Sequence, residues 1–426
     1  MKNLENPPRE GDPVAPPITT LVAVTSPLSW VFFTGTFGML RDAGYEPMLV
    51  SSPGEQLYCL GRDAGVRYAV IPMKREIAPL QDLLSLWRFY RLMRKVRPML
   101  TDVSTPKAGL LGGVAAWLSG VPCRIYTLCG LRLETTTGLK RILLTMTERA
   151  ACRCAHRVIC VSPSLRQLAI ELKLVSADKA VVLGSGSVRG IDVQRFSPEV
   201  GSRGQKEYLA KSLGIPADVP VIGFVGRLTR DKGIRELITA FSQLRRKWPC
   251  LRLLLVGDLE SGDPVGPIAR RQMETDPGIV RAGFVADTAP YYPLIDVLVL
   301  PSYREGLGYT ALEAQACGIP VVTTTATGAV DSVVEGVTGF HVPVGNWEML
   351  AARIDQLLSD PELRSRMGQR GRERVVKEFR HQVVGQALIE EYSRLLRARV
   401  GHDLHGRSES ATASAISAKM PPQEQL

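Results

Sequence analysis

The sequence predicts an α/β protein made of two domains, each a doubly wound parallel sheet. Three observations carry that prediction. At 426 residues the chain is long enough for two ordinary α/β domains. Short apolar runs of strand type recur along it, separated by stretches of helical composition, and that alternation builds parallel sheets with helices on both faces. The alternation breaks once, near Phe196-Ser-Pro198, and restarts at Val219.

In chain order, residues 1–18 are polar and Pro-rich and read as a disordered arm. They lack the hydrophobic core of a secretory signal, and no apolar run reaches the length of a membrane span, so a cytoplasmic location is expected. Residues 20–25 form the first expected strand, followed by a helix over 30–40 that ends at Gly44. Strands at 46–51, 68–71, 99–101, 124–128, 157–161 and 180–183 complete a first domain of residues 19–198. Residues 199–218, polar with several glycines, read as a linker. A second domain, 219–380, takes strands at 219–225, 251–256, 279–282, 296–300, 320–324 and 339–342. Helices at 347–358, 361–379 and 382–399 follow without strands, and a Ser/Ala/Gln-rich tail, 401–426, is expected to be disordered.

Composition narrows the function classes. With 45% apolar and 22% charged residues the chain is neither disordered nor membrane-embedded. The net charge of +11 is uneven: residues 1–200 hold 25 Lys and Arg against 16 Asp and Glu, the remainder 28 against 26. A basic first half suits an anionic partner, but no recognition motif points to nucleic acid. The eight cysteines include no C-x-x-C pair, and Cys152-x-Cys154 has only His156 beside it, so free thiols and no metal site are expected. Residues 82–97 mix Trp, Phe and Leu with five basic residues and one Asp; core packing explains the apolar face, while the basic face also suits an anionic membrane surface.

The chemistry concentrates between two expected strands, in Ser302-Tyr-Arg-Glu-Gly-Leu-Gly-Tyr-Thr-Ala-Leu-Glu313. A glycine-bearing loop opens a helix, whose unpaired N-terminal amides suit a phosphate. Carboxylates flanking an anion site would repel it unless the ligand also offers hydroxyls, which carboxylates accept. A nucleotide sugar meets both demands, one Glu serving the transferred sugar and the other the ribose. Arg227 at a strand end and Lys232 at the next helix start can both reach one diphosphate.

The segment from Glu305 to Val322 resembles the E-x7-E segment of family-4 retaining glycosyltransferases. The resemblance implies the GT-B fold: two Rossmann-like domains facing across a cleft, with the last helix, residues 381–400, crossing back onto the first. It places Glu305 at the donor hexose, Gly306, Leu307, Gly308 and Tyr309 at the diphosphate, and Glu313 at the ribose. Gly226-Arg-Leu-Thr-Arg-Asp-Lys-Gly233 is similar to the family's G-R-L-x-x-x-K-G signature and implies diphosphate contacts for Arg227 and Lys232. Asp258 and Val285 fall where the family approaches the nucleotide base.

In the first domain, residues 104–112, 127–138, 156–165 and 184–192 resemble the subgroup that builds capsule, O-antigen or exopolysaccharide repeats on a polyprenyl-diphosphate carrier. Lys107, Cys129, Gly130, Arg132 and Glu134 are the acceptor-side candidates. One departure stands out: Cys129 precedes Gly130 where many members carry a His. The departing phosphate can take the acceptor proton instead, with Glu134 or a Thr135–Thr137 hydroxyl assisting. The resemblance therefore implies sugar transfer from a nucleotide sugar, a UDP-sugar ahead of a GDP-sugar, to a polyprenyl-diphosphate-linked saccharide. No cofactor or metal is implied, and peripheral attachment to an anionic membrane surface is expected. Two other readings use the same fold: a nucleotide-sugar epimerase, which lacks this E-x7-E segment, and a non-catalytic nucleotide-sugar-binding subunit, suggested by the missing His.

Overall fold

The computed structural model describes residues 17–32, 34–63, 65–74, 78–199, 201, 203–260 and 262–401. The arm expected up to residue 16 and the tail beyond 401 lie outside the described residues.

Seven parallel strands form the first sheet: β1 (Ile18–Ala23), β2 (Tyr45–Ser51), β3 (Arg67–Val70), β4 (Leu100–Ser104), β5 (Cys123–Leu128), β6 (Arg157–Cys160) and β7 (Ala180–Val181). Their spatial order is β3-β2-β1-β4-β5-β6-β7. Between them run α1 (Thr34–Asp42), α2 (Glu55–Asp63), α3 (Pro79–Val96), α4 (Pro106–Leu118), α5 (Gly138–Cys154) and α6 (Pro163–Glu171). The second sheet holds β8 (Val221–Val225), β9 (Arg252–Val256), β10 (Ile279–Gly283), β11 (Val297–Leu300), β12 (Val321–Thr324) and β13 (Gly339–Val342), ordered β10-β9-β8-β11-β12-β13. Its helices are α7 (Arg203–Ser212), α8 (Ile234–Leu244), α9 (Pro267–Thr275), α10 (Tyr309–Ala316), α11 (Ala329–Ser332), α12 (Trp347–Ser359), α13 (Pro361–Glu378) and α14 (His381–Val400). Strands covered on both faces favour apolar side chains, which is why β11 is an unbroken Val/Leu run and β8 is Val/Ile/Phe around Gly223, with every residue buried.

In both sheets the winding reverses at the first strand. The switch lies between β1 and β4 in one and between β8 and β11 in the other, and ligands of open α/β sheets bind outside such a point.

The structure departs from the sequence reading in four places. β1 begins at Ile18, inside the expected arm, because the Ile18 amide bonds the Gly44 carbonyl at 2.9 Å. The single helix expected over 30–40 is a 3-10 turn, Pro27–Phe32, followed by α1; Trp30 is fully buried in that turn, its indole N–H donating to the Ser51 hydroxyl at 3.0 Å. The expected linker contains α7, whose Leu209 and Ala210 pack on the core although no residue of the helix is fully buried. The strand expected at 180–183 has two residues.

α14 crosses back onto the first domain. Its Tyr392 hydroxyl donates to Asp102 at 2.6 Å in the middle of β4, Ser393 meets the Tyr45 hydroxyl at 2.8 Å, and Glu391 pairs with Arg157 at 2.9 Å. Burial pushes the Asp102 carboxyl upward, against the hydrogen bonds from Tyr392 and Thr127.

Candidate active site

The ends of β8 and β11 bring the charged residues of the second domain together. Arg227 stands two residues beyond β8, and Lys232 closes a 3-10 turn, Arg230–Lys232, that feeds α8. Gly233 follows with φ +69°, and a Cβ there would fall 2.1 Å from the Pro301 carbonyl oxygen. Only glycine lets that turn press against the loop after β11. The result is a contact between residues far apart in sequence: Lys232 Nζ lies 2.5 Å from Glu305 Oε1, which also accepts from the Ser302 hydroxyl at 2.7 Å. Both side chains are mostly shielded, 17% and 12% exposed.

Gly308 caps α10 with φ +56°, and a Cβ on it would meet the Ser332 hydroxyl oxygen at 2.9 Å. The amides that open α10 are the orphan donors of a helix start. Gly306 also serves a contact between the domains. A Cβ at Gly306 would sit 2.2 Å from the Cys129 carbonyl oxygen, so the glycine is needed where the two domains touch. Gly130 lies on the other side of that contact, its φ of +134° again outside the range of ordinary side chains.

Glu313 is 9% exposed on α10. The Tyr292 hydroxyl donates to its Oε2 at 2.7 Å, and Arg189 Nη2 stands 3.6 Å from its Oε1. Burial pushes the Glu313 carboxyl above its ordinary value; Arg189, the Tyr292 bond and Arg195 oppose that shift.

Two cavities flank these groups. One, of about 650 Å³, is lined by Arg227, Asp258, Val285, Thr310 and Glu313 of the second domain, with Arg189 and Leu28 on its other wall. The larger, about 960 Å³, lies between Arg132, Glu134, Thr135 and Lys140 of the first domain and Arg227, Arg230, Asp231 and Arg304 of the second. Arg227 and Glu260 line both and are ion-paired with each other. Lys232 and Glu305 line neither; they sit directly beside Asp231 and Arg304, which do. Arg304 bridges the domains, bonding Asp231 at 2.6 Å and the Thr135 hydroxyl at 3.0 Å. Burial pushes the Asp231 carboxyl up, but the Thr229 hydroxyl and the Arg304, Lys232 and Arg227 cations outweigh it and hold it below its ordinary value.

The first-domain candidates divide. Arg132 and Glu134 line the larger cavity. Glu134 Oε1 is buried and meets no hydrogen-bond partner among the described residues, and burial raises the pKa of that carboxyl. Cys129 keeps solvent contact along the crevice, yet the protein packed round it and the Asp102 carboxylate push its thiol up to about 12. Lys107 is elsewhere: its ammonium is 2.8 Å from Asp82 of α3, and it lines neither cavity.

Arg189, Asp231, Glu260 and Arg304 belong to the site but were not singled out in the sequence. Asp231 and Arg304 adjoin chosen residues, a signal that charge spacing carried; Arg189 and Glu260 enter only through folding. Cys123, Cys152, Cys160 and Cys317 are buried free thiols, whereas Cys250, like Cys129, is exposed. Among the described residues no group of three His, Cys, Asp or Glu side chains converges as metal ligands do.

The sequence and the fold match known proteins. Residues 205–374 match the family model of glycosyl transferases group 1, and residues 30–186 match the glycosyl transferase 4-like domain. The capsular polysaccharide biosynthesis glycosyltransferase CapM of Staphylococcus aureus is 37% identical over 378 residues, covering 89% of this chain and 97% of that protein. The UDP-Gal:alpha-D-GlcNAc-diphosphoundecaprenol alpha-1,3-galactosyltransferase of Escherichia coli is 26% identical, covering 74% of this chain and 81% of its own length. Among solved structures, Anabaena Alr3699/HepE in complex with UDP and glucose superposes with a TM-score of 0.74 at 21% identity, over 88% of this chain and 99% of that one. That likeness is one of fold.

Proposed function

The chain belongs to the group 1 glycosyltransferases, with a GT-B fold, and on that premise we propose that it transfers a sugar from a nucleotide sugar, a UDP-sugar foremost, to a lipid-linked saccharide in cell-surface polysaccharide synthesis. The observation that carries the proposal is the convergence of Arg227, Lys232, Glu305 and the start of α10, with Glu313 one cavity wall away, at the ends of β8 and β11 facing the first domain.

In this reading the nucleoside fills the smaller cavity, its base by Asp258 and Val285 and its ribose hydroxyls on Glu313. The diphosphate lies against Arg227, Lys232 and the amides of Leu307, Gly308 and Tyr309. Without donor each cation rests on a carboxylate, Lys232 on Glu305 and Arg227 on Glu260; phosphate oxygens replace those partners. Glu305, released, accepts from a donor-sugar hydroxyl. As the sugar C1–oxygen bond to the diphosphate breaks, charge grows on the leaving oxygen, and fixed cations are most useful there. Those two cations supply the positive charge that other enzymes take from a metal.

The acceptor occupies the larger cavity. Cys129 is a neutral thiol and takes up no proton at neutral pH. The acceptor hydroxyl then attacks C1 on the face the leaving group departs from, its proton passes to the leaving phosphate, and configuration is retained. Glu134, with an unbonded buried oxygen, orients that hydroxyl.

Membrane attachment belongs to the same proposal. Leu80, Leu83, Leu84 and Trp87 of α3 and Leu139, Ile142, Leu143 and Met146 of α5 are exposed, not buried in the core, and Arg88, Arg91, Lys140 and Arg141 lie among them. Apolar and cationic groups interleaved at the acceptor domain suit an anionic lipid surface. No helix among the described residues is long and apolar enough to cross a membrane. Transfer from a panel of nucleotide sugars to polyprenyl-diphosphate saccharides tests the proposal. It is abandoned if no donor yields a lipid-linked product and none is slowly hydrolysed.

A further inference from the structure

The cavity assigned to the nucleoside contains a cation from outside the donor domain. Arg189 comes from the stretch after β7 that runs on toward the second domain. That stretch is fixed along its length. Gly186 and Ser187 take φ values of +111° and +76°, and the Ser187 hydroxyl accepts from the Arg189 amide at 3.1 Å. A Cβ on Gly190 would fall 2.1 Å from the His381 Cα, so the segment lies flush against the start of α14. Ile191 then bonds the Phe379 carbonyl at 2.6 Å.

The guanidinium is aimed with equal care. It lies over the Tyr309 ring, 3.8 Å from the centroid, and 3.6 Å from Glu313 Oε1. Tyr309 and Glu313 are one helical turn apart on α10, so a single flat cation spans both. The Tyr309 hydroxyl in turn meets Ser187 at 3.1 Å. Glu313 is thereby gripped from two sides, Arg189 at Oε1 and the Tyr292 hydroxyl at Oε2. A carboxylate has about four lone-pair positions, so two such contacts leave room for a ribose diol.

We infer that Arg189 is a positioning residue that holds the Glu313 carboxylate ionised and turned toward the ribose, making the pocket selective for ribonucleoside over 2′-deoxyribonucleoside diphosphates. The inference rests on the reading of this cavity as the nucleoside site. Burial alone favours a neutral Glu313, which would donate where it has to accept; Arg189 and Arg195 oppose this from the first domain, and Tyr292 from the second. Lysine keeps the charge but not the planar stack on Tyr309.

The test is calorimetric titration with UDP, GDP and ADP, then with the 2′-deoxy form of whichever binds best, for wild type, Arg189→Gln, Arg189→Lys and Glu313→Gln. Wild type is expected to prefer the ribonucleotide about tenfold or more, as fits one charge-assisted hydrogen bond. Arg189→Gln should shrink that preference to about threefold or less, chiefly through weaker ribonucleotide binding, with Arg189→Lys in between. The acid limb of ribonucleotide binding should also move to higher pH in Arg189→Gln. Equal loss of both nucleotides would mean that Arg189 serves the phosphates, and it overturns the inference, as does an unchanged preference. If wild type binds none of the three diphosphates, the nucleoside reading itself is wrong, a result distinct from these.

Discussion

Replacing Lys232 by Met separates what the Lys232–Glu305 pair does for stability from what it does for catalysis. The ammonium and carboxylate are 2.5 Å apart and mostly shielded, so removing the cation leaves Glu305 with the Ser302 hydroxyl, at 2.7 Å, as its remaining close donor. Breaking a fully buried pair costs about 3–5 kcal/mol; with 17% and 12% of the side chains still wet, about 2 kcal/mol is expected here. Neutralising the orphan as well, in Lys232→Met/Glu305→Gln, should return stability to within about 1 kcal/mol of wild type, since two neutral groups leave no buried charge. Activity should not return. Loss of one fixed charge aimed at the leaving group costs about 3–4 kcal/mol in the transition state, a hundredfold or more in kcat. Urea unfolding followed through the tryptophans gives the first quantity, and donor hydrolysis or transfer gives the second. If the single variant keeps activity within tenfold, or the double variant regains both stability and turnover, Lys232 is a structural cation only.

Three further outcomes follow from the same geometry. Glu260→Gln frees Arg227 from its carboxylate and should tighten UDP binding severalfold by titration; unchanged affinity would show that the pair does not compete with the diphosphate. Gly306→Ala places a methyl against the Cys129 carbonyl and should cost about 1–3 kcal/mol while lowering kcat more than a hundredfold, because the domains must part; near-normal turnover would mean that the contact is dispensable. Glu148 is 4% exposed on α5, and burial, against the Tyr126 hydrogen bond, pushes its carboxyl up to about 7. Its folded value exceeds the unfolded one, so its contribution is fully present below about pH 4.5 and is lost as pH rises to about 7, by about 3 kcal/mol in all. Glu148→Gln should flatten stability across that window and raise it above pH 7; an unaltered pH profile would contradict the assignment.

The strands were legible in the sequence because parallel strands buried on both faces must be apolar runs, and Gly or Pro marks many of their ends. Arg227, Lys232, Glu305 and Glu313 were legible because each follows a strand end or sits on the helix beyond one, where spacing alone indicates the face. What stayed hidden depended on contacts between distant segments. The helix expected from residue 30 begins instead as a 3-10 turn in which Trp30 bonds Ser51, a residue of the next strand. Lys107 is free to meet a ligand as far as its own segment goes, but Asp82 of another helix pairs with it. Gly306 meets the Cys129 carbonyl of the other domain, a contact that its local sequence does not announce. Arg189 lay inside the 184–192 resemblance, but nothing in its local sequence pointed it at Glu313.

The most direct test of the nucleotide-sugar site compares UDP with uridine by titration. The diphosphate should improve affinity at least about a hundredfold in wild type, as expected of two charge-assisted contacts, and Arg227→Met/Lys232→Met should remove most of that gain, leaving what the α10 amides supply and uridine binding unchanged. Equal affinity for UDP and uridine, or a gain that survives the double substitution undiminished, would place the diphosphate elsewhere and contradict the account.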